Sequence, residues 1–145
     1  MTLASSVPAA AVTANDRERE LLAEMNRVRA KHGLRPLQID ARLQQAARSH
    51  SHDMIRRTYF AHGSLVDRLR RFEFRLEGRT VGENLAWGAG RLGTPGSIVA
   101  AWLQSPAHRR TLLRPGFSQV GVGAITAPFQ GAREATVVTA NFATG

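Results

Sequence analysis

Three residues that can bind metal ions or move protons near neutral pH lie in three separate segments of this 145-residue chain. They are His62 in the segment FAH, Glu83 in GENLAWG and His108 in SPAHR. Each lies beside a turn or a helix-start signal, and such positions favour an exposed and functional side chain. We therefore predict that His62, Glu83 and His108 converge in one polar cleft.

The first two residues each have a structural alternative. His62 precedes Gly63 and Ser64 and is expected to be partly exposed, so it either contributes to the cleft or hydrogen-bonds the start of the next helix. Glu83 on a strand is a poor core residue, because a buried carboxylate needs a partner. We expect Glu83 to pair with His62 or with backbone N–H groups.

His108 is predicted in the first turn of a short helix. The helix dipole there disfavours the protonated ring, which leaves an imidazole nitrogen free to ligate a metal or accept a hydrogen bond. The structural alternative is that His108 only fixes the turn at Ser105 and Pro106.

Two imidazoles and a carboxylate can hold a divalent ion. The sequence predicts His62 and His108 as ligands of Zn²⁺ or another divalent metal, with water at the open position. In an enzyme, Glu83 would act as general base on that water. Neither an H-E-x-x-H motif nor a Ser-His-Asp or Cys-His nucleophile motif is present, which favours binding over catalysis. Without a third fixed ligand, the metal would be weakly held.

The other histidines are predicted to lie outside the site. His50 and His52 are two residues apart, so on a helix they point about 200° apart. His50 falls on an apolar stripe and is expected to be a hydrogen-bonded core residue. His32 is expected at the C-terminal end of a helix, where its charge interacts favourably with the dipole.

Helix-start signals divide the first two thirds of the chain. Asn15 with Glu18 forms a capping-box pattern, and Gly33 is a typical helix stop. Further helices are predicted after Asp40, from Ser64, from Thr94-Pro95 and from Ser105-Pro106. In the third helix the leucines are expected to face inward, and four arginines are expected to be largely exposed: Arg68, Arg70, Arg71 and Arg75. Trp102 is expected to be buried against the sheet.

Strand patterns follow at residues 82–87, 118–126 and 135–142, and the last two are close enough for an antiparallel hairpin. Gly121 and Gly123 alternate with apolar residues, which indicates close packing of another backbone or side chain. The order of elements predicts an α+β fold, with helices covering a small antiparallel sheet.

Composition limits the partners. The net charge is +9, but the basic residues are spread along the chain and no nucleic-acid-binding motif is present, so we expect no nucleic acid partner. There is no cysteine and no apolar run long enough for a transmembrane segment. Residues 1–14 are predicted to be a flexible arm or signal-peptide remnant. We expect a monomer.

Five segments in order resemble the CAP superfamily of cysteine-rich secretory, antigen 5 and pathogenesis-related 1 proteins. They are NRVR with GLRPL, then FAH, GENLA, WLQSPAHR and GVG, and the chain is most similar to bacterial, cysteine-free SCP-like extracellular domains. The resemblance implies a three-layer α-β-α sandwich over residues 15–145, a secreted or cell-envelope location and a central cleft of histidines and glutamates.

The match to the family pattern is incomplete. Ser105 stands where a second glutamate would follow Trp102, and Phe117-Ser118-Gln119 stands where a second family histidine would fall. The resemblance therefore implies a secreted domain that binds a small apolar or cell-envelope ligand, with a weakly held divalent metal. The alternative is a zinc-assisted hydrolase of peptides or cell-wall fragments that uses His62, His108 and Glu83.

Overall fold

The computed structural model describes residues 14–145, in which helices and strands alternate around one sheet. The predicted arm at residues 1–14 lies, except for Ala14, outside the described part. The elements are α1 (Asp16–Lys31), β1 (Gln38–Ile39), α2 (Ala41–Arg57), α3 (Leu65–Arg71), β2 (Val81–Ala89), a 3-10 turn (Gly90–Gly93), α4 (Pro95–Gln104), α5 (Pro106–Leu112), β3 (Phe117–Phe129) and β4 (Ala132–Thr144).

The strands form a mixed sheet in the order β1-β3-β4-β2, and only the β1–β3 pair is parallel. Alternate residues of β4 enter different apolar clusters. Val138, Ala140 and Phe142 pack with α1, α4 and α5, whereas Ala143 packs with α2 and α3. Side chains alternate across a strand, so helices cover both faces. The predicted α+β, α-β-α architecture is confirmed. The two-residue strand β1 was not predicted.

The predicted helix starts are confirmed by their caps. Asn15 and Glu18 exchange the two hydrogen bonds of a capping box, and the Asp40, Ser64 and Thr94 side chains accept from backbone N–H groups of α2, α3 and α4. Gly33 follows α1 with a φ of +69°, a conformation that glycine adopts without strain. Local sequence therefore determines where these helices begin.

Gly121 and Gly123 let α2 lie directly on β3. A Cβ at Gly121 would be 2.0 Å from the backbone carbon of Leu43, and one at Gly123 would be 2.5 Å from the Ala47 carbonyl oxygen. The predicted close packing is confirmed, and the packed partner is the backbone of α2.

Trp102 is 2% exposed, and its indole N–H donates to the Leu85 carbonyl oxygen at 2.9 Å. The side chain thus joins α4 to β2 with its polar atom satisfied, as buried tryptophans require. The prediction that Trp102 is buried against the sheet is confirmed.

One prediction about α3 is wrong. Arg68 was expected to be largely exposed, but its side chain is only 3% exposed. Arg70, Arg71 and Arg75 are exposed as expected. Arg68 differs because its guanidinium meets a carboxylate from β2, so its burial depends on a partner distant from its own helix.

Candidate functional site

Glu83 lies at the start of β2, an edge strand of the sheet, and two basic residues bind its carboxylate. Its carboxylate contacts His62 Nδ1 at 2.8 Å through Oε1, and Arg68 Nη1 donates to Oε2. The Glu83 side chain is 3% exposed, so the carboxylate is buried together with its compensating charge. Of the two predicted partners for Glu83, the structure has His62.

His62 lies in the loop before α3 with 57% of its side chain exposed. The bond to Glu83 occupies Nδ1, and the other ring nitrogen, Nε2, has no protein partner within residues 14–145. A carboxylate on one ring nitrogen fixes the ring orientation and leaves the other nitrogen to the solvent side. This arrangement makes His62 available to a ligand in a defined direction.

The loop that carries His62 is supported from beneath by two residues. Arg68 Nη2 donates to the His62 carbonyl oxygen at 2.5 Å, and His50 Nε2 donates to the Ala61 carbonyl oxygen at 2.8 Å. His50 is 5% exposed, so it is a hydrogen-bonded core residue, as predicted. Arg68 is a residue of the candidate site that was not predicted from the sequence.

His108 lies in the first turn of α5, as predicted. Its Nδ1 is 2.7 Å from Ser105 Oγ, and its backbone carbonyl oxygen accepts from Asn84 Nδ2 at 3.0 Å. Ser105 makes no side-chain hydrogen bond to the helix backbone, so its hydroxyl serves the imidazole instead. Asn84 adjoins Glu83 on β2, and its side chain therefore ties α5 to the strand that carries the carboxylate.

His108 and His62 interact electrostatically. Burial, and then the electrostatic effect of the nearby His62, lower the pKa of His108 below its ordinary value of 6.5. The direction of this shift is the one expected for the first turn of a helix, and its causes include burial and His62. The lowered pKa favours the neutral ring, and Nε2 is unpartnered among the described residues.

Two residues of α1 position α5 and the segment before β1. Arg29 is fully buried and donates to the carbonyl oxygens of Leu112, Arg114 and Phe117 at 2.8, 3.1 and 2.9 Å. Asn26 exchanges two hydrogen bonds with the backbone of Leu37. The NRVR segment therefore has a structural role, fixing the end of α5 and, through it, the helix that carries His108.

The donor atoms do not fit a resident zinc ion. Within residues 14–145, no three His, Cys, Asp or Glu side chains form a group that could hold a metal ion. Both oxygens of Glu83 are already bonded, and His62 and His108 supply only one nitrogen each. A structural zinc site needs four protein ligands and a catalytic site usually three.

Two nearby cavities differ in character. One, of about 720 Å³, lies between α2 and the start of α3 and includes Arg68 in its wall. The other, of about 640 Å³, lies along α4 and α5 and is lined mainly by apolar surface of Leu103, Pro106, Leu113 and Pro115. Neither is lined by His62, Glu83 or His108. The structure brings His62 and Glu83 into contact, and it joins the backbone of His108 to Asn84, the neighbour of Glu83.

Asn141 is a second residue that the sequence did not single out. It is fully buried in β4, in register with Glu83, and neither side-chain atom has a hydrogen-bond partner among the described residues. Cross-strand partners face the same side of a sheet, so the amide lies beside the Glu83 side chain.

The chain is similar to several known proteins in sequence and in structure. The YkwD protein of Bacillus subtilis is 40% identical over 111 residues, covering 73% of this chain and 41% of that protein. The membrane protein YlbC of the same organism is 37% identical, covering 73% and 31%. The chain thus spans less than half the length of these relatives.

A crystal structure of an SCP-domain extracellular protein from Bacillus anthracis superposes with a TM-score of 0.71 at 29% identity, covering 89% of this chain and 40% of that one. In the described part of the present chain, no helix is long and apolar enough to cross a membrane. Residues 22–142 match the cysteine-rich secretory protein (CAP) family. This cysteine-free chain therefore belongs to the CAP family.

Proposed function

We propose that this domain works outside the cytoplasm and binds a polar cell-envelope ligand through His62 and His108. The observation that carries the proposal is the pairing of His62 with the buried Glu83 carboxylate, which orients the exposed imidazole. An extracellular location is supported by the similar SCP-domain protein of B. anthracis, which is described as extracellular.

The character of the site favours a polar ligand over an apolar one. His62 and His108 each use Nδ1 for a hydrogen bond within the protein, which leaves Nε2 for a ligand. The apolar cavity along α4 and α5 does not include either residue. Such ring nitrogens can donate to or accept from hydroxyl and amide groups, which glycans and peptides of the envelope carry.

Binding is favoured over hydrolysis because Glu83 is not free to act as general base. Both of its oxygens are engaged, one by His62 and one by Arg68. A general base must reach the proton that it removes, and this carboxylate instead orients an imidazole. No metal ion is part of the proposed interaction; a divalent ion would be held weakly by His62 and His108 alone.

The test is sedimentation of the protein with purified peptidoglycan sacculi. We expect the double variant His62→Ala with His108→Ala to reduce binding about 20-fold or more, since two lost hydrogen bonds are each worth about 1 kcal/mol. The exposed His52→Ala serves as the control and should bind as the original protein does.

Two results would contradict the proposal. Equal binding by the original protein and the double variant would exclude the histidines from the interaction. Release of soluble fragments from the sacculi, lost in the double variant, would support the hydrolase alternative instead.

A further inference from the structure

The cavity of about 720 Å³ between α2 and the start of α3 has a strongly cationic wall. Its charged lining comprises one carboxylate, Asp53, and four arginines, whose side chains are supplied by both helices: Arg56, Arg57, Arg68 and Arg71. We propose that this cavity is a binding site for a soluble phosphate monoester. This proposal does not depend on the function proposed above.

The charges around the cavity do not balance. Asp53 contacts Arg56 at 3.1 Å and Arg57 at 3.3 Å, while Glu83 pairs with Arg68 from behind the wall. Arg71 is exposed and has no carboxylate partner in the described part of the chain. Four guanidinium groups therefore face two carboxylates, which leaves an excess of two positive charges. A phosphate monoester supplies close to two negative charges near neutral pH.

The wall also offers the hydrogen-bond donors that such an anion requires. Arginine presents a planar fork of N–H groups that matches the oxygens of a phosphate, and such charge-assisted bonds are the stronger ones. Ser64 Oγ accepts from the Asp67 N–H at 3.2 Å, so its hydroxyl hydrogen remains available as a donor. Ser49 adds a second hydroxyl to the lining.

The fixed positions of its charged side chains distinguish this cavity from a generally basic surface. Arg68 is fixed by its ion pair, and Asp53 is fixed by Tyr59, whose hydroxyl donates to it at 2.5 Å. Arg57 in turn lies over the Tyr59 ring at 5.4 Å. Several cationic groups are thus held in place before an anion arrives, which reduces the ordering cost of binding.

The cavity also borders the histidine site. Arg68 lines the cavity, pairs with Glu83 and donates to the His62 carbonyl oxygen. A phosphate group in the cavity would therefore lie next to the residue that fixes the position of His62. Arg68 therefore contributes to both sites.

The experiment is calorimetric titration with sn-glycerol 3-phosphate, with neutral glycerol as the uncharged comparison. We expect binding of the phosphate only. Arg71→Gln should weaken it at least about 10-fold, because it removes a charge-assisted hydrogen bond. The matched control is Arg70→Gln, which removes the same charge from the adjacent residue outside the cavity and should change the affinity less than about twofold.

Arg71→Lys refines the test. Arg71→Lys keeps the charge without the planar fork, so we expect it to recover only part of the affinity that Arg71→Gln loses. Arg70 and Arg71 are exposed, so unchanged thermal unfolding of their variants is the expected sign of an intact fold.

Three outcomes would overturn the proposal: no measurable binding of glycerol phosphate, equal weakening by Arg70→Gln and Arg71→Gln, and binding only to vesicles that contain phosphatidic acid. The second would indicate attraction by the overall charge, and the third would indicate a membrane surface in place of a soluble monoester.

Discussion

Arg68 and Glu83 form a buried ion pair in which each side chain is only 3% exposed. The pair joins α3 to β2, and both residues also contact His62 in the loop that precedes α3. Glu83 also contacts the His62 ring, and Arg68 also donates to the His62 carbonyl oxygen. The exposed imidazole is therefore positioned from two sides by residues that the solvent barely reaches.

Breaking this pair from one side should destabilise the protein strongly. Arg68→Met leaves the Glu83 carboxylate buried without its charge partner, and we expect the free energy of unfolding to fall by about 3–5 kcal/mol. Replacing both residues, as Arg68→Met with Glu83→Leu, should recover much of that loss because no unpaired charge remains. Denaturant titration measures both; a single-variant loss below about 1 kcal/mol would mean that water reaches the carboxylate.

Close backbone packing predicts that Gly121 cannot be replaced. A Cβ there would lie 2.0 Å from the backbone of α2, which cannot move without displacing the helix. We expect Gly121→Ala to cost about 3 kcal/mol or more, at the upper end for overpacked cores. Gly96→Ala in α4 is the matched control, since no atom other than those of its chain neighbours and its own helix backbone lies within 4 Å of its Cβ position.

The control should stabilise the protein slightly, because alanine is the better helix former by about 0.5–1 kcal/mol. Thermal and denaturant unfolding of the two variants make the comparison. A small effect of Gly121→Ala would show that α2 can shift away from β3 at little cost.

The sequence predicted the parts of this fold that depend on local chemistry. Helix starts follow from caps such as Asn15 and Asp40, and the contact of α2 with β3 follows from the alternating glycines of the strand. The burial of Arg68 could not be predicted in the same way. Arg68 is one of several arginines in a short helix, and only the later strand β2 supplies the carboxylate that distinguishes it.

The candidate site could also be predicted only in part. His62, Glu83 and His108 were singled out because polar residues beside turns are poor core residues. Their surroundings depend on tertiary structure: Ser105 binds the His108 ring instead of capping α5, and sheet register places Asn141 beside Glu83. No local pattern in the sequence separates these two residues from ordinary polar ones.

His50 gives the protein a pH dependence of known sign. Burial, and then the charge of Arg68, lower the pKa of His50 below its ordinary 6.5. The unfolded chain therefore takes up a proton at pH values where the folded protein does not. This contribution to stability is complete above pH 6.5 and is lost as the pH falls below that value.

We expect His50→Gln, whose amide can still donate to the Ala61 carbonyl oxygen, to reduce the loss of unfolding free energy between about pH 7.5 and about pH 5.5. The exposed His52→Gln is the control and should leave the pH dependence nearly unchanged. Identical pH profiles for the original protein and His50→Gln would contradict the assignment of this dependence to His50.

Zn²⁺ should bind weakly, through His62 and His108. Protons compete with the metal for neutral imidazole, so we expect the affinity to fall as the pH drops through about 6.5. Calorimetric titration at pH values on either side checks this dependence. The double variant His62→Ala with His108→Ala should abolish binding, whereas His32→Ala with His52→Ala should leave it nearly intact. His50 is unsuitable as a control because it supports the loop at Ala61.

Glu83→Gln separates the two roles that a carboxylate can have at such a site. If Glu83 is a direct ligand, its replacement by glutamine removes a negative charge from the metal, and the affinity for Zn²⁺ should fall at least as far as for either histidine variant. As the residue that orients His62, its replacement should weaken binding less, by about 10-fold, the lower range for a residue behind a metal ligand. Because both Glu83 oxygens are bonded to His62 and Arg68, we expect the smaller effect. Zn²⁺ binding that survives loss of both histidines would instead place the metal elsewhere on the protein.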